Sequence, residues 1–291
     1  MTVAVYVPLL LGVPLWWVAP RMARHGSPAL TAWALAVIAV VAAAATTWSL
    51  SLLALTLFDD LPPWRALGAD PSRQLPTPVP DPIAAVAVLL LIGAAVRLLT
   101  DARRRLTTVH RLRTVGTPHD GVAIADLPEP MAVAVPGRPG HILVTTAMLH
   151  LLDHHERQVM FAHERAHLRH RHHTLVLAAA MAAAINPLLI PAREAVTYLV
   201  ERWADEDAAA AVGDRGLAAR AIARAGLATV RPGPSLAVGG GPVVRRVQAL
   251  TGPAPRPHRR RLAGLLALLV TFGTAATIAT AEFVAVARAW L

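Results

Sequence analysis

The sequence predicts a mainly α-helical integral-membrane protein in which one polar α+β domain sits between the third and fourth of four membrane helices. Composition is the first observation: hydrophobic residues make up 55% of the chain and charged residues 16%, and mean hydropathy is +0.49. A soluble chain carries about 25% charged residues, so much of this surface faces something other than water. Long uncharged runs are the second observation. The third is where the cations sit. The formal net charge of +10 rests on arginine, with no lysine in the chain. These arginines cluster beside the apolar runs, as basic segments on the cytoplasmic side of a membrane do. That placement argues against direct nucleic-acid binding, which a basic domain would otherwise suggest. With no cysteine, disulfides, thiolate catalysis and cysteine-held metals are excluded.

The first apolar run, Val3 to Ala19, is uncharged and stops before Arg21 and Arg24. Lacking a basic leader, it reads as a short span and not as a cleaved signal. The second, Ala29 to Phe58, is ample for a tilted crossing. A proline-rich loop with Asp59, Asp60, Asp70 and Asp81 leads to the third, Pro82 to Thr100, where Arg97 can snorkel to the interface. The fourth runs from Leu262 to Ala281, directly after Arg259, Arg260 and Arg261. Arg103, Arg104, Arg105, Arg111 and Arg113 follow the third span, and Arg256 to Arg261 precede the fourth. The positive-inside rule then makes the region between them cytoplasmic and puts both termini outside. The expected organisation of this multi-pass cell-membrane protein is three spans in 1–100 (about 3–19, 29–58 and 82–100), a cytoplasmic domain over 101–230, a flexible basic linker over 231–261, and a fourth span with a short tail over 262–291.

Within the polar region, Met131–Val135 and Ile142–Thr146 flank Pro136-Gly137-Arg138-Pro139-Gly140, a hairpin signal. Asp153 and Glu156 have capping-box spacing and open a helix; another helix runs from about Ala192 to Val212. The uncharged stretch Thr174 to Ala192 is divided by Asn186-Pro187 into halves too short to span. A buried or re-entrant helical hairpin fits it better than a fifth crossing. Beyond Arg231, the glycines 239–241 and Pro242, Pro253, Pro255 and Pro257 read as linker.

Chemistry concentrates in His163-Glu164-Arg165-Ala166-His167. On a helix, positions i and i+4 share a face, so both imidazoles can reach one ion. Zinc takes neutral imidazole nitrogen at about 2.0–2.1 Å. Glu164, beside the first ligand, is placed to act as general base toward the attacking water. An exposed charged helix could carry the same pentapeptide, and His154, His155, His170, His172 and His173 crowd the region without an assigned role. A second helix supplies Glu201 and Asp205, again i and i+4. Glu201 can complete a His₂Glu site for one zinc ion, leaving a fourth position open. Asp205, one turn on, can orient a ligand histidine through its other ring N–H. A plain acidic surface patch is the competing reading, since Glu206 and Asp207 follow. The hairpin at 131–146 can offer an edge strand to an extended substrate, and Tyr198 and Arg202 are candidates for stabilising the oxyanion.

The stretches Pro130–Val135, Ile142–Thr146 and Val159–His167 together resemble the membrane gluzincin peptidases. The nearest resemblance is to the BlaR/MecR-type family, in which three spans precede a cytoplasmic zinc domain and a fourth follows. HtpX-like and CAAX-prenyl endopeptidases resemble the chain more distantly. The resemblance covers about residues 80 to 285 and rests chiefly on the spacing of His163, Glu164, His167, Glu201 and Asp205. It implies a zincin-like metalloprotease domain with zinc held by His163, His167 and Glu201, and Glu164 as catalytic base. Antibiotic-sensing members add a penicillin-binding domain after the fourth span. Here few residues follow Ala281 and no Ser-x-x-Lys motif occurs, so sensing of that kind is not expected. The resemblance further implies regulated endoproteolysis of a cytoplasmic protein, a transcriptional repressor among the candidates. Two alternatives stand beside it: an HtpX-like membrane quality-control protease, and a non-proteolytic zinc-binding membrane sensor, which would have no use for Glu164.

Overall fold

Helices make up most of the chain, because alanine and leucine dominate its apolar runs and several prolines stand at helix starts, where a missing N–H costs nothing. The computed structural model describes residues 3–10, 12–24, 26–57, 79–229 and 241–255, with scattered helical positions between 267 and 284. In chain order the helices are α1 (Gly12–Ala23), α2 (Pro28–Leu55), α3 (Asp81–Arg113), α4 (Thr146–Leu151), α5 (His154–Arg169), α6 (His172–Ile185), α7 (Ile190–Val212), α8 (Arg215–Thr229) and α9 (Pro242–Thr251). Three short strands, β1 (Val122–Ala125), β2 (Ala132–Val135) and β3 (His141–Thr145), form one sheet.

Among the described residues, α2 and α3 are long and apolar enough to cross a membrane, with mean hydropathies of 2.1 and 2.4 over their most apolar windows. The first expected span, 3–19, is helical wherever it is described. Short helical turns over 3–10 precede α1, which has 12 residues and carries Pro20 inside it. Prolines at 8, 14 and 20 withdraw backbone donors from this stretch. α3 continues past the expected boundary at residue 100 as a single helix of 33 residues, roughly 50 Å long. Its apolar half and its arginine-rich half are therefore one rod. The fourth expected span, 262–281, falls largely outside the described residues; those described within it are helical, and Trp48 Nε1 of α2 donates to Thr280 Oγ1 at 2.7 Å.

The uncharged stretch 174–192 folds as a helical hairpin. α6 stops at Asn186-Pro187, and after the short turn Pro187–Leu189 the chain doubles back as α7. Both helices pack on α2 through an alanine-rich seam with Leu35, Ile38, Leu175, Val196 and Leu199 at its core, small residues allowing close approach. The break leaves carbonyls without helical partners. Arg97 of α3 donates to Ala184 O at 2.9 Å and Ile185 O at 3.3 Å. Asn186 donates to Thr46 Oγ1 and accepts from the Leu188 N–H.

The polar domain stands on this frame. α5 opens with the capping box read from the sequence: Glu156 N–H donates to Asp153 Oδ1 and Asp153 N–H to Glu156 Oε2. β2 and β3 form the expected hairpin, Ala132 opposite Val144 and Ala134 opposite Ile142. β1 joins β3 in parallel, which leaves β2 at the edge of the sheet nearest α5. The stretch 231–261, expected to be a flexible linker, contains α9, so that expectation is corrected for residues 242–251. Pro242 starts the helix after Gly241. Val247 and Leu250 then lie on one face, packed with Val159, Ala208 and Ala218 of the neighbouring helices.

Candidate zinc site

His163, Glu164 and His167 lie on the inner face of α5, where the buried positions Val159, Met160, His163, Glu164 and Ala166 follow the helical repeat. Glu201 and Asp205 face them from α7, the helix packed along α5. Glu201 stands about three turns, roughly 16 Å, along α7 from its start at Ile190. The hairpin thus returns the chain to the side from which it entered and brings Glu201 to the histidines.

The donor atoms converge on one point. His163 Nε2 and His167 Nε2 are 3.1 Å apart. Glu201 Oε2 is 3.5 Å from the first and Oε1 is 3.6 Å from the second. A tetrahedral ion with bonds of about 2.0–2.1 Å would hold its ligand atoms roughly 3.3–3.4 Å apart. The three residues form the group able to hold a metal ion among the described residues, and their spacing and chemistry fit zinc. Electrostatics agree. Burial disfavours the charged forms here, yet the Glu201 carboxyl is held far below the usual range by His163 and by the charge of Arg246. Burial alone would lower His163, but Asp205, Glu201 and Glu164 raise it to about 10. His167 is pushed down to about 4, first by burial and then by His163. Of the carboxylates nearby, Glu201 faces the Nε2 atoms of both histidines, and Asp205 lies at the far nitrogen of His163.

Each histidine has a partner at its other nitrogen. His163 Nδ1 lies 3.1 Å from Asp205 Oδ1, an ion-pair distance off the line of a well-aligned hydrogen bond. His167 Nδ1 lies 3.2 Å from His172 Nδ1. With Nε2 of His167 turned to the metal, its Nδ1 carries the proton and His172 accepts it. His172 is one of the histidines that crowd this stretch of the sequence. It reaches this place because Arg171 adopts a left-handed conformation, φ 50°, that turns the chain sharply between α5 and α6. Trp203 of α7 packs over the His170 and His172 rings.

A further residue, Arg246 of α9, escaped the sequence reading. Its Nε and Nη2 donate to Asp205 Oδ2 at 2.8 Å and Oδ1 at 2.6 Å, and Nη1 is 2.9 Å from Glu201 Oε2. The signal was present as an arginine inside the apolar repeat Val243, Val247, Leu250, masked by flanking glycine and proline. Tyr198 and Arg202, the expected oxyanion candidates, do not line the cavities beside the cluster. Arg202 pairs with Glu206 at 3.7 Å, and the Tyr198 ring lies under Arg245.

Glu164 lines both cavities that flank the cluster. Burial raises its carboxyl above the usual range, with His163 and the Ala134 N–H pulling the other way. That N–H belongs to β2, so the edge strand lies against this carboxylate.

Residues 99–254 match the model of peptidase family M48. Over 104 residues the chain is 37% identical to the Protease HtpX homolog of Acidiphilium cryptum (strain JF-5), a match covering 34% of this chain and 36% of that protein. The chain thus spans little more than a third of the length of that relative. No solved structure matches the chain.

Proposed function

The chain belongs to peptidase family M48, and from that premise we propose that it is an integral-membrane, zinc-dependent endopeptidase of the HtpX-like kind, acting on protein substrates at the cytoplasmic face. The observation that carries this is the convergence of His163, His167 and Glu201 with Glu164 beside them and an edge strand alongside. The family match and the relative's name favour the HtpX-like alternative over the BlaR/MecR-type signalling reading, and a repressor as substrate draws support from neither.

His163, His167 and Glu201 would hold the ion. When bound, zinc supplies Lewis-acid polarisation of the scissile carbonyl and acidifies the attacking water. The free edge of β2 offers backbone groups to an extended peptide. Glu164, kept basic by burial, takes the water's proton and returns it to the leaving amine. Asp205 and His172 hold the two imidazoles in the orientation that presents Nε2. Arg246 neutralises part of the carboxylate charge that the site gathers.

Purified protein should cleave denatured membrane proteins, lose that activity to a chelator and regain it with zinc. Glu201→Ala should lose zinc as severely as His163→Ala, because two histidines fall short of the three protein ligands of catalytic zinc. Asp205→Ala should weaken zinc binding by roughly 10–100-fold. Metal analysis of the purified variants checks both, and full zinc in Glu201→Ala would move the third ligand elsewhere.

The arginine clusters at the two ends of 101–261 support a cytoplasmic active site. The absence of cysteine allows clean labelling. A cysteine at Ala69 should react with an impermeant maleimide in intact cells, and one at the exposed Asp120 should not. Labelling at Asp120 would reverse the orientation.

A further inference from the structure

The arginines that follow the apolar half of α3 are not equivalent. Arg105 is tied to Asp101 at 2.7 Å, and Arg113 reaches over the β2–β3 turn to Pro136 O at 3.4 Å. Arg103, Arg104 and Arg111 are exposed, and their guanidinium groups meet no acceptor among the described residues. We propose that these three form a docking surface for the headgroups of anionic phospholipids, at the level where α3 leaves the hydrocarbon. This goes beyond the endopeptidase reading and rests on the membrane reading of α3.

α3 is a single helix, so its faces keep their phase from the apolar half into the basic half. Steps of four and three residues place Ile92, Val96, Leu99, Arg103 and Leu106 on one face. The first three are each more than half exposed. Only 17% of the helix's most apolar window is buried, and this is the face left to lipid. The opposite face carries the buried Ala87 and Ala94, the Asp101–Arg105 pair, and Leu112, which packs against the sheet. Arg103 thus prolongs the lipid-facing side, and the paired Arg105 the protein-facing side. Arg97, Arg104 and Arg111 recur every seven residues along one flank. The lowest of them, Arg97, donates to the carbonyls at the end of α6. That grip fixes the rotation of the rod, and with it the direction in which Arg103 and Arg104 point.

The expected third span ends at Thr100. At 1.5 Å per residue, Arg103 and Arg104 stand about 4–6 Å beyond it, inside a headgroup layer roughly 5–7 Å deep on each side of the hydrocarbon. Arg111 stands about 16 Å beyond. Helical side chains lean toward the N-terminus of their helix, which for α3 is the membrane side. All three guanidinium groups are therefore carried back toward the phosphates, into a surface potential that decays over about 8 Å. Leu106 is 70% exposed, which fits an interface that reaches this turn better than it fits bulk water. Charge selects the occupant. Of the bilayer lipids, those whose phosphate has no ammonium beside it match three unopposed cations.

The test uses the full chain in mixed micelles with equal amounts of phosphatidylglycerol and phosphatidylcholine of matched acyl chains, and counts the retained lipids by native mass spectrometry. One arginine near an anionic surface is worth a factor of roughly five, so wild type should retain phosphatidylglycerol over phosphatidylcholine by at least about fivefold. Arg103→Gln, Arg104→Gln and Arg111→Gln together should bring that ratio below about twofold. Lysine at the same three positions should keep the preference, because charge and not the guanidinium fork attracts the headgroup. Arg138→Gln, Arg165→Gln and Arg220→Gln together remove the same charge from exposed positions on other elements, and should keep it too. Equal retention of the two lipids by wild type overturns the proposal. A preference that survives the first set of substitutions, or is lost with the control set, overturns it as well. Single-stranded RNA bound through the same three arginines, with no excess of phosphatidylglycerol retained, overturns it in favour of a nucleic-acid surface. A chain that stays in solution without detergent and retains neither lipid overturns the membrane reading of α3 itself.

Discussion

Glu164→Gln is expected to reduce peptide-bond cleavage by about 10²–10⁴-fold, the usual worth of a positioned general base, while leaving zinc content unchanged. The amide keeps the shape of the carboxylate but cannot take a proton from water. In barrier terms the loss is about 2.7–5.4 kcal/mol. The position explains the size of the effect. Glu164 is 9% exposed, burial raises its proton affinity, and it lines both cavities that meet at the zinc ligands. The decisive measurement is zinc stoichiometry together with cleavage of one membrane-protein substrate, on wild type and variant alike. Equal cleavage by both would remove Glu164 from the mechanism. Stoichiometric zinc with no cleavage by wild type would favour a zinc-binding membrane sensor instead.

What could be read from the sequence was local. The capping box Asp153–Glu156 and the pair His163, His167 are set by spacings of three and four residues on one helix, and helical geometry brings such residues together wherever the helix sits. Glu201 and Asp205 share a helix for the same reason. Arg246 meets its partners 41 and 45 positions away in the chain, through the docking of α9 on α7, and no local spacing encodes that contact. Its helix was hidden because glycine and proline on both sides carry the composition of a linker, while Val247 and Leu250 make only a short apolar repeat. His172 depends on a left-handed residue that is not glycine, Arg171, which propensity gives no reason to expect. β1, four residues long, pairs in parallel with β3, Val122 opposite Ile142, and no local spacing encodes a partner that far along the chain.

Arg246→Ala should lower the stability of the chelator-treated protein by about 3–5 kcal/mol, the cost of leaving a buried charge without its partner. The Asp205 side chain is only 2% exposed and receives two hydrogen bonds from Arg246; Glu201 faces the same guanidinium. Removing it leaves both carboxylates with only the histidines of the cluster to offset their charge. Zinc bears on the same carboxylates, so loading the site should recover part of the loss, and zinc should stabilise Arg246→Ala more than it stabilises wild type. Arg246→Lys keeps the charge, but a point-like ammonium cannot bridge Asp205 and Glu201 with a planar fork, so its loss should lie between the other two. Thermal midpoints of wild type, Arg246→Lys and Arg246→Ala, each with zinc and with chelator, give the full cycle. Equal zinc stabilisation in all three would mean that Arg246 and the metal do not act on the same carboxylates. A larger zinc effect in Arg246→Ala would show that Arg246 and the metal act on the same carboxylates, which couples α9 to the zinc ligands.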